Sequence, residues 1–129
     1  MAAILLIDTH VLVWLYAGLL DRIPAAVQRR LNREQLAVSP VILLELAYLH
    51  EIGRLKIAPD ALMSDVAGQL ELVTADISAA ALCRQALTLS WTRDPFDRLL
   101  AAHALATGWP LVTKDESLRQ HLSLAWWAD

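Results

Sequence analysis

The sequence predicts an α/β fold, with a central, mainly parallel β-sheet flanked by helices. Two observations support this prediction. Short, wholly apolar runs recur along the chain, as in strands that are buried on both faces of a sheet. Between them lie longer segments with helix start and stop signals. Strands that alternate with helices form parallel sheets with right-handed crossovers. Because 129 residues suit one such domain, we expect residues 1–129 to form a single domain.

The first predicted strand is the run Ile4–Ile7, which ends at a carboxylate. Four consecutive branched aliphatic residues without polar alternation are typical of a doubly buried strand. Asp8 and Thr9 then form a natural N-cap for a helix over residues 10–16, which stops near Gly18. Ligands of open α/β sheets bind just beyond the carboxyl ends of strands. Asp8 therefore stands where a functional group is expected.

The later elements follow the same alternation. Prolines and hydroxyl or acidic caps mark the helix starts, and glycines mark several of the ends. Predicted helices cover residues 24–33, 40–52, 59–69, 78–89 and 95–107. Predicted strands cover residues 36–38, 70–73, 110–112 and 124–127. A last short helix should begin at a capping box, in which Thr113 and Glu116 satisfy each other's backbone amides.

Composition restricts the possible classes of function. Hydrophobic residues make up 57% of the chain, which predicts a subunit or partner interface. The apolar stretches are nevertheless too short for a membrane span, and no signal peptide is visible, so we expect a cytoplasmic protein with no membrane association. The net charge of −3 gives no general attraction for nucleic acid. A single cysteine, Cys83, argues against a disulfide framework or a cysteine-based zinc site.

Glu45 is the acidic residue hardest to explain as an ordinary surface group. It is the only charged side chain between residues 41 and 49, and its helical neighbours include no cation. A lone carboxylate on such a helix is costly to bury unless it is paired or bound to a metal ion. The alternatives are that this face is exposed, or that Tyr48 or a distant arginine satisfies the carboxylate.

Three further acids lie at the ends of predicted elements. Asp8 and Asp115 follow strands, and Asp97 lies in the first turn of a helix that Asp94 caps. Each has a structural alternative, because acids are also favoured as caps and in first turns. Together with Glu45, however, they form a set of hard oxygen ligands that suits Mg²⁺ or Mn²⁺. Such ions activate water and stabilise an in-line phosphoryl displacement.

Four segments carry a resemblance to a known family. They resemble the PIN domain and, more narrowly, the VapC-type toxins of bacterial and archaeal toxin–antitoxin systems. The segments are Ile7-Asp8-Thr9-His10-Val11-Leu12, Ser39-Pro40 leading to Leu44-Glu45-Leu46, Trp91 through Asp94-Pro95-Phe96-Asp97-Arg98-Leu99-Leu100-Ala101-Ala102, and Val112-Thr113-Lys114-Asp115. They appear in the expected order and span most of the chain.

This resemblance implies a three-layer α/β/α fold and a metal-dependent ribonuclease that hydrolyses RNA phosphodiester bonds. The family's acidic quartet falls on Asp8, Glu45, Asp97 and Asp115. Asp8, Asp97 and Asp115 would hold one or two Mg²⁺ or Mn²⁺ ions. Glu45 would be a ligand or the group that positions or deprotonates water. Asp94 is an auxiliary ligand or only the helix cap.

Other residues match secondary positions of the family site. Thr9, Ser39 and Thr113 match hydroxyl positions that orient carboxylates or water. The resemblance also implies a homodimer and a small VapB-type antitoxin that occupies the active-site groove.

Several cations flank the acids in the sequence. Arg93, Arg98 and Lys114 are candidate contacts for RNA phosphates, with ordinary surface charge as the alternative. The five tryptophans are expected to be core or interface anchors rather than platforms for bases. Whether His10 or His103 touches the site stays open at this point.

Two rival functions are compatible with parts of the sequence. The first is a phosphatase with Asp8 as nucleophile, although the Asp-x-Asp pattern of that chemistry is broken by His10. The second is a non-enzymatic regulatory module, whose acids are only caps and surface groups. Nucleotide binding through a glycine-rich loop is disfavoured, because four glycines form neither a Gly-x-Gly-x-x-Gly nor a Walker-type sequence.

Overall fold

The computed structural model describes residues 4–128 and contains a five-stranded parallel sheet. Met1 to Ala3 and Asp129 of the predicted domain lie outside the described residues. The strands are β1 (Ile4–Ile7), β2 (Gln35–Val38), β3 (Leu72–Thr74), β4 (Leu111–Val112) and β5 (Ala125–Trp126). Their order is β3-β2-β1-β4-β5, and each neighbouring pair is parallel. The predicted α/β class is therefore confirmed.

β1 lies at the centre of the sheet, as its apolar run predicts. Leu5, Leu6 and Ile7 have no exposed surface, because β2 and β4 pair with the edges of the strand and helices flank the sheet. Since all strands run the same way, their carboxyl ends meet at one edge of the sheet. Asp8 after β1, Ser39 after β2 and Thr113 after β4 therefore share that edge.

Seven α-helices connect these strands in residues 4–128. They are α1 (Thr9–Ala17), α2 (Ala25–Arg33), α3 (Pro40–Glu51), α4 (Pro59–Gln69), α5 (Ala79–Ala86), α6 (Pro95–Thr107) and α7 (Glu116–His121), with a 3₁₀ turn at Leu20–Arg22 before α2. Helix α6 packs against α3 and α5, and α1 packs against α3 and α4. None of the helices in the described part of the chain is long and apolar enough to cross a membrane.

The helix starts follow the predicted capping. Ser39 precedes Pro40 and accepts a hydrogen bond from the Val41 amide at 3.3 Å. Asp94 precedes Pro95, and its Oδ1 accepts from the amides of the next turn. Proline as the first helical residue fits because its missing N–H would have had no partner there. These caps fix where α3 and α6 begin, and therefore where Glu45 and Asp97 lie.

The predicted capping box at the start of α7 is wrong. Asp115, not Thr113, is the N-cap, and its Oδ1 accepts from the Leu118 amide at 2.8 Å. Thr113 directly follows β4 and is completely buried. Its hydroxyl instead donates its proton to the buried, charged Asp8 carboxylate, while its oxygen accepts from the Asp115 amide.

Several other boundaries differ from the prediction by one to three residues. Helix α5 ends at Ala86 rather than at residue 89. At this end of the helix, Arg98 of α6 donates to the carbonyl oxygens of Ala86 and Leu87. Strand β3 begins two residues later than predicted, because Leu70 still bonds to the last turn of α4. Pro24 is the N-cap of α2 rather than its first residue.

Candidate active site

Asp8 is a buried carboxylate at the centre of the carboxyl edge of the sheet. Only 4% of its surface is exposed. Its Oδ1 accepts from the Thr9 amide at 2.7 Å, and its Oδ2 accepts from the Thr113 hydroxyl at 2.6 Å. Both oxygens are thus held by the end of β4 and the start of α1. The side chain has one defined orientation before any ligand is present.

Thr113 connects two of the predicted acids. Besides donating to Asp8, its Oγ1 accepts from the Asp115 amide at 3.1 Å. Asp115 in turn caps α7 through one carboxylate oxygen. A single buried hydroxyl therefore fixes the geometry of β4, the Asp115 backbone and the Asp8 side chain together.

Glu45 is half-buried on α3 and finds its partner on another helix. The Thr9 hydroxyl donates to its Oε1 at 2.5 Å. Burial raises the pKa of Glu45, the Thr9 hydrogen bond opposes this effect, and the charge of Asp8 adds to it. The carboxylate is therefore satisfied by Thr9, rather than by Tyr48 or an arginine as the sequence-based alternatives proposed.

Asp97 has the most perturbed carboxylate of the site. Burial in the first turn of α6, together with the negative charges of Asp94, Asp8, Asp115 and Glu45, raises its pKa to about 7. No cation forms an ion pair with Asp97 in the range 4–128. The four predicted acids come from four different elements, and their charges meet at this group.

His10 lies beside these acids and His103 does not. The exposed His10 ring has its Nδ1 3.9 Å from Asp8 Oδ2. The interaction with Asp8 raises the pKa of His10 in spite of partial burial, and the charges of Glu45 and Asp115 add to this effect. His103 is fully buried and its Nδ1 contacts the Ser39 hydroxyl at 2.8 Å. Burial lowers the pKa of His103.

Two of the predicted auxiliary residues have structural roles. Ser39 caps α3 and pairs with His103, so its hydroxyl is not directed to any of the acids. Asp94 is the cap of α6, as the alternative for this residue stated. Its charge still raises the pKa values of Asp97 and Glu45. Of the predicted hydroxyls, only Thr9 and Thr113 contact the acids.

The three residues predicted to contact phosphates also differ in their surroundings. The Arg98 guanidinium donates to the carbonyl oxygens of Ala86 at 2.9 Å and Leu87 at 3.3 Å. It therefore joins α6 to the end of α5, and its contact with a substrate phosphate stays a prediction. Arg93 and Lys114 are exposed, and both lie next to candidate acids in the chain.

The donor set fits a hard divalent cation. Four carboxylates supply oxygen ligands, and a cation between them would relieve the repulsion that raises the pKa of Asp97. No group of three or more His, Cys, Asp or Glu side chains in residues 4–128 is already arranged around one ion position. Coordination therefore requires the carboxylates to come closer together than they are in this structure.

The chain is similar in sequence to proteins of a known family. The family model that matches is the PIN domain, over residues 5–121. Ribonuclease VapC22 of Mycobacterium tuberculosis is 38% identical over 120 residues, which cover 90% of this chain and 90% of that protein.

Two solved structures are similar in fold. In VapBC2 from Rickettsia felis, bound to a DNA fragment from its promoter, a chain matches with a TM-score of 0.62 and 21% identity, covering 91% of this chain and 92% of that one. In DNA-bound VapBC from Salmonella typhimurium, the TM-score is 0.61 and the identity 24%, covering 95% of this chain and 93% of that one.

Proposed function

This chain belongs to the PIN domain family, and we propose that it is a VapC-type, Mg²⁺- or Mn²⁺-dependent endoribonuclease. The observation that carries the proposal is the convergence of negative charge on Asp97, whose pKa is raised to about 7. A protein gains nothing in stability from such a cluster of carboxylates, but a metal-dependent nuclease requires one. The relationship to Ribonuclease VapC22 supports RNA as the substrate.

In the proposed mechanism Asp8, Asp97 and Asp115 would hold the ion. A bound Mg²⁺ or Mn²⁺ lowers the pKa of water and offsets the charge that develops on the phosphate. Asp8 is already oriented by the Thr9 amide and the Thr113 hydroxyl. This arrangement reduces the cost of assembling the site when substrate arrives.

Glu45 positions the attacking water and accepts its proton. Thr9 engages only its Oε1, so Oε2 remains for the water. Burial, which raises the pKa of Glu45, makes the carboxylate a stronger base than an exposed glutamate. The Thr9 hydrogen bond holds that side chain in place while the proton moves.

We also propose a VapB-type antitoxin as partner and a homodimer as the assembly. The two structural matches are VapBC complexes. Exposed apolar side chains along one side of α3 support an interface, since Leu44 is 66% and Tyr48 49% exposed. A second apolar surface is a cavity of about 320 Å³ bounded by side chains of α1, α2 and α4.

The sequence disfavours the rival phosphatase reaction, because His10 stands where the Asp-x-Asp pattern of that chemistry has its second aspartate. A phosphatase would release phosphate from a small ester and form an acyl-phosphate at Asp8. We expect neither result.

The proposed function is tested by RNA cleavage with the purified protein freed of any antitoxin. Wild type should cleave single-stranded RNA with Mn²⁺ or Mg²⁺, lose activity in EDTA and regain it when excess ion is added. Asp97→Asn should be inactive, whereas the control Asp65→Asn removes an exposed carboxylate of α4 and should cleave like wild type. Activity that survives EDTA, or an active Asp97→Asn protein, contradicts the proposal. If wild type cleaves no RNA and Asp8→Asn leaves the stability of the protein unchanged, the regulatory module is favoured instead.

A further inference from the structure

A mixed polar and aromatic cavity of about 560 Å³ lies beside the candidate active site. Its lining residues are Trp14, Asp21, Arg22, Pro24, Lys114 and Trp127. The volume is within the range of small-molecule binding sites. None of these side chains belongs to the carboxylate set described above.

Two lining residues of this cavity, Lys114 and Trp14, are neighbours of residues at the candidate active site. Lys114 lies between Thr113, which bonds to Asp8, and Asp115. On the other side, the His10 ring lies next to Asp8, and its centroid is 6.2 Å from that of Trp14. A strand whose phosphate lies at the carboxylates would therefore have its neighbouring nucleotide at the cavity.

The chemistry of the walls suits a nucleotide. The Trp14 and Trp127 rings meet edge to face with their centroids 6.3 Å apart, and they give the cavity an aromatic corner. Aromatic rings bind bases by stacking, because every base has a flat π-face. Arg22 and Lys114 are cations of the kind that contact phosphates, and Asp21 is an acceptor of the kind that binds a base amino group.

We propose that this cavity binds one nucleotide of the RNA strand next to the scissile phosphate. The base packs on the partly exposed Trp14 ring, which the buried Trp127 supports edge to face, and Arg22 and Lys114 contact the phosphates that flank it. The inference rests on the proposed ribonuclease function, since the carboxylates define where the strand passes. The apolar cavity bounded by α1, α2 and α4 is different, because no charged side chain lines it. That second cavity suits a protein helix better than a nucleotide.

The first test compares two arginines with the same charge and similar exposure. Arg22 lines the cavity, whereas Arg29 is an exposed residue of α2 that does not. With a fluorescein-labelled single-stranded RNA whose cleavage position has been mapped, Arg22→Gln should raise KM about 3-fold to 10-fold and leave kcat within 2-fold. Arg29→Gln should change KM by less than 2-fold. Equal effects of the two substitutions, or no effect of either, would overturn the proposal.

The second test removes the base instead of the protein side chain. Abasic versions of the same RNA, altered at either nucleotide beside the scissile bond, should bind wild type about 5-fold or more weakly at one of the two positions. Trp14→Leu should lose most of this discrimination, and Trp14→Phe should retain part of it. Discrimination that is unchanged in Trp14→Leu contradicts the assigned role of the cavity.

Anisotropy measurements in EDTA separate this inference from the proposed function. Anisotropy reports binding without cleavage. If the protein binds RNA through Arg22 but never cleaves it, the proposed ribonuclease activity is wrong and the proposed nucleotide site is not. If Arg22→Gln weakens binding of a copurified antitoxin while RNA affinity and KM stay unchanged, the cavity is a protein-docking surface and the proposal is wrong.

Discussion

Replacing Asp97 with asparagine should stabilise the protein in EDTA at pH 8 and change its stability little at acid pH. The pKa of Asp97 is about 7 in the folded protein, against a reference value of 3.8. Above pH 4 the unfolded chain therefore releases this proton while the folded chain keeps it. Because the folded state binds more protons, the contribution of Asp97 to stability is lost as the pH rises from about 4 to about 7. Asparagine does not ionise, so the Asp97→Asn protein does not lose this stability as the pH rises.

The size of the effect follows from the pKa difference. Without solvent screening, a change in the pKa of Asp97 from 3.8 to about 7 corresponds to about 4 kcal/mol in the free energy of unfolding. Asp97 is only half-buried, so solvent screens much of this interaction, and we expect a gain of about 1–2 kcal/mol at pH 8. At pH 4.5 only about a quarter of that gain should be present.

The assay is urea unfolding of wild type, Asp97→Asn and Asp65→Asn in EDTA at pH 4.5 and pH 8. Asp65 is an exposed acid of α4 and controls for the loss of one negative charge. Excess Mn²⁺ at pH 8 should make wild type more stable than Asp97→Asn, because only wild type gains the free energy of binding the ion at a complete site. An asparagine variant that is less stable than wild type in EDTA at pH 8, or equally stabilised at both pH values, refutes the reasoning about clustered charge.

Three further substitutions test the contacts around the carboxylates. Thr9→Val removes the donor to Glu45, so it should lower kcat about 10-fold or more and shift the acid limb of the pH–rate profile upward, because that hydrogen bond lowers the pKa of Glu45. Thr113→Val leaves the buried Asp8 carboxylate with one fewer donor and should lower the free energy of unfolding at pH 7 by about 1–3 kcal/mol, measured in urea. Arg98→Met removes donors to two backbone carbonyls at the end of α5 and should cost about 1 kcal/mol of stability with no change in RNA affinity by anisotropy.

Each substitution has its own control. Thr9→Ser keeps the hydroxyl and should retain most of the rate, so equal losses in the valine and serine variants would point to packing instead. Thr113→Ser likewise preserves the donor, and an equally unstable serine variant would argue against the hydrogen bond. For Arg98, the comparison is Arg29→Met on the exposed side of α2. A specific loss of RNA affinity in Arg98→Met would restore this residue as a phosphate contact.

The sequence by itself determined the elements and their caps. The apolar run before Asp8 predicts a doubly buried strand, and that strand is the centre of the sheet. Ser39-Pro40 and Asp94-Pro95 predict where α3 and α6 begin. These features depend on side-chain periodicity and on backbone amides within one turn, so a short stretch of sequence contains the information. The resemblance to a known family identified the four acids as a set.

Only the tertiary structure decided which hydroxyl serves which carboxylate. Thr9 bonds to Glu45 across 36 residues, and Thr113 bonds to Asp8 across 105. The local sequence predicts a capping box at Thr113, because nothing in it shows that the fold brings the Asp8 carboxylate to this hydroxyl.

The family resemblance places Ser39 near the active site, and Arg98 flanks the candidate acids in the sequence. In the structure Ser39 bonds to His103 across 64 residues and Arg98 to the carbonyls at the end of α5. Burial decides the case of Ser39, since a buried polar group needs a partner wherever the fold provides one. Long-range packing also raises the pKa of Asp97, first by burying it and then by bringing Asp8, Asp115 and Glu45 near it.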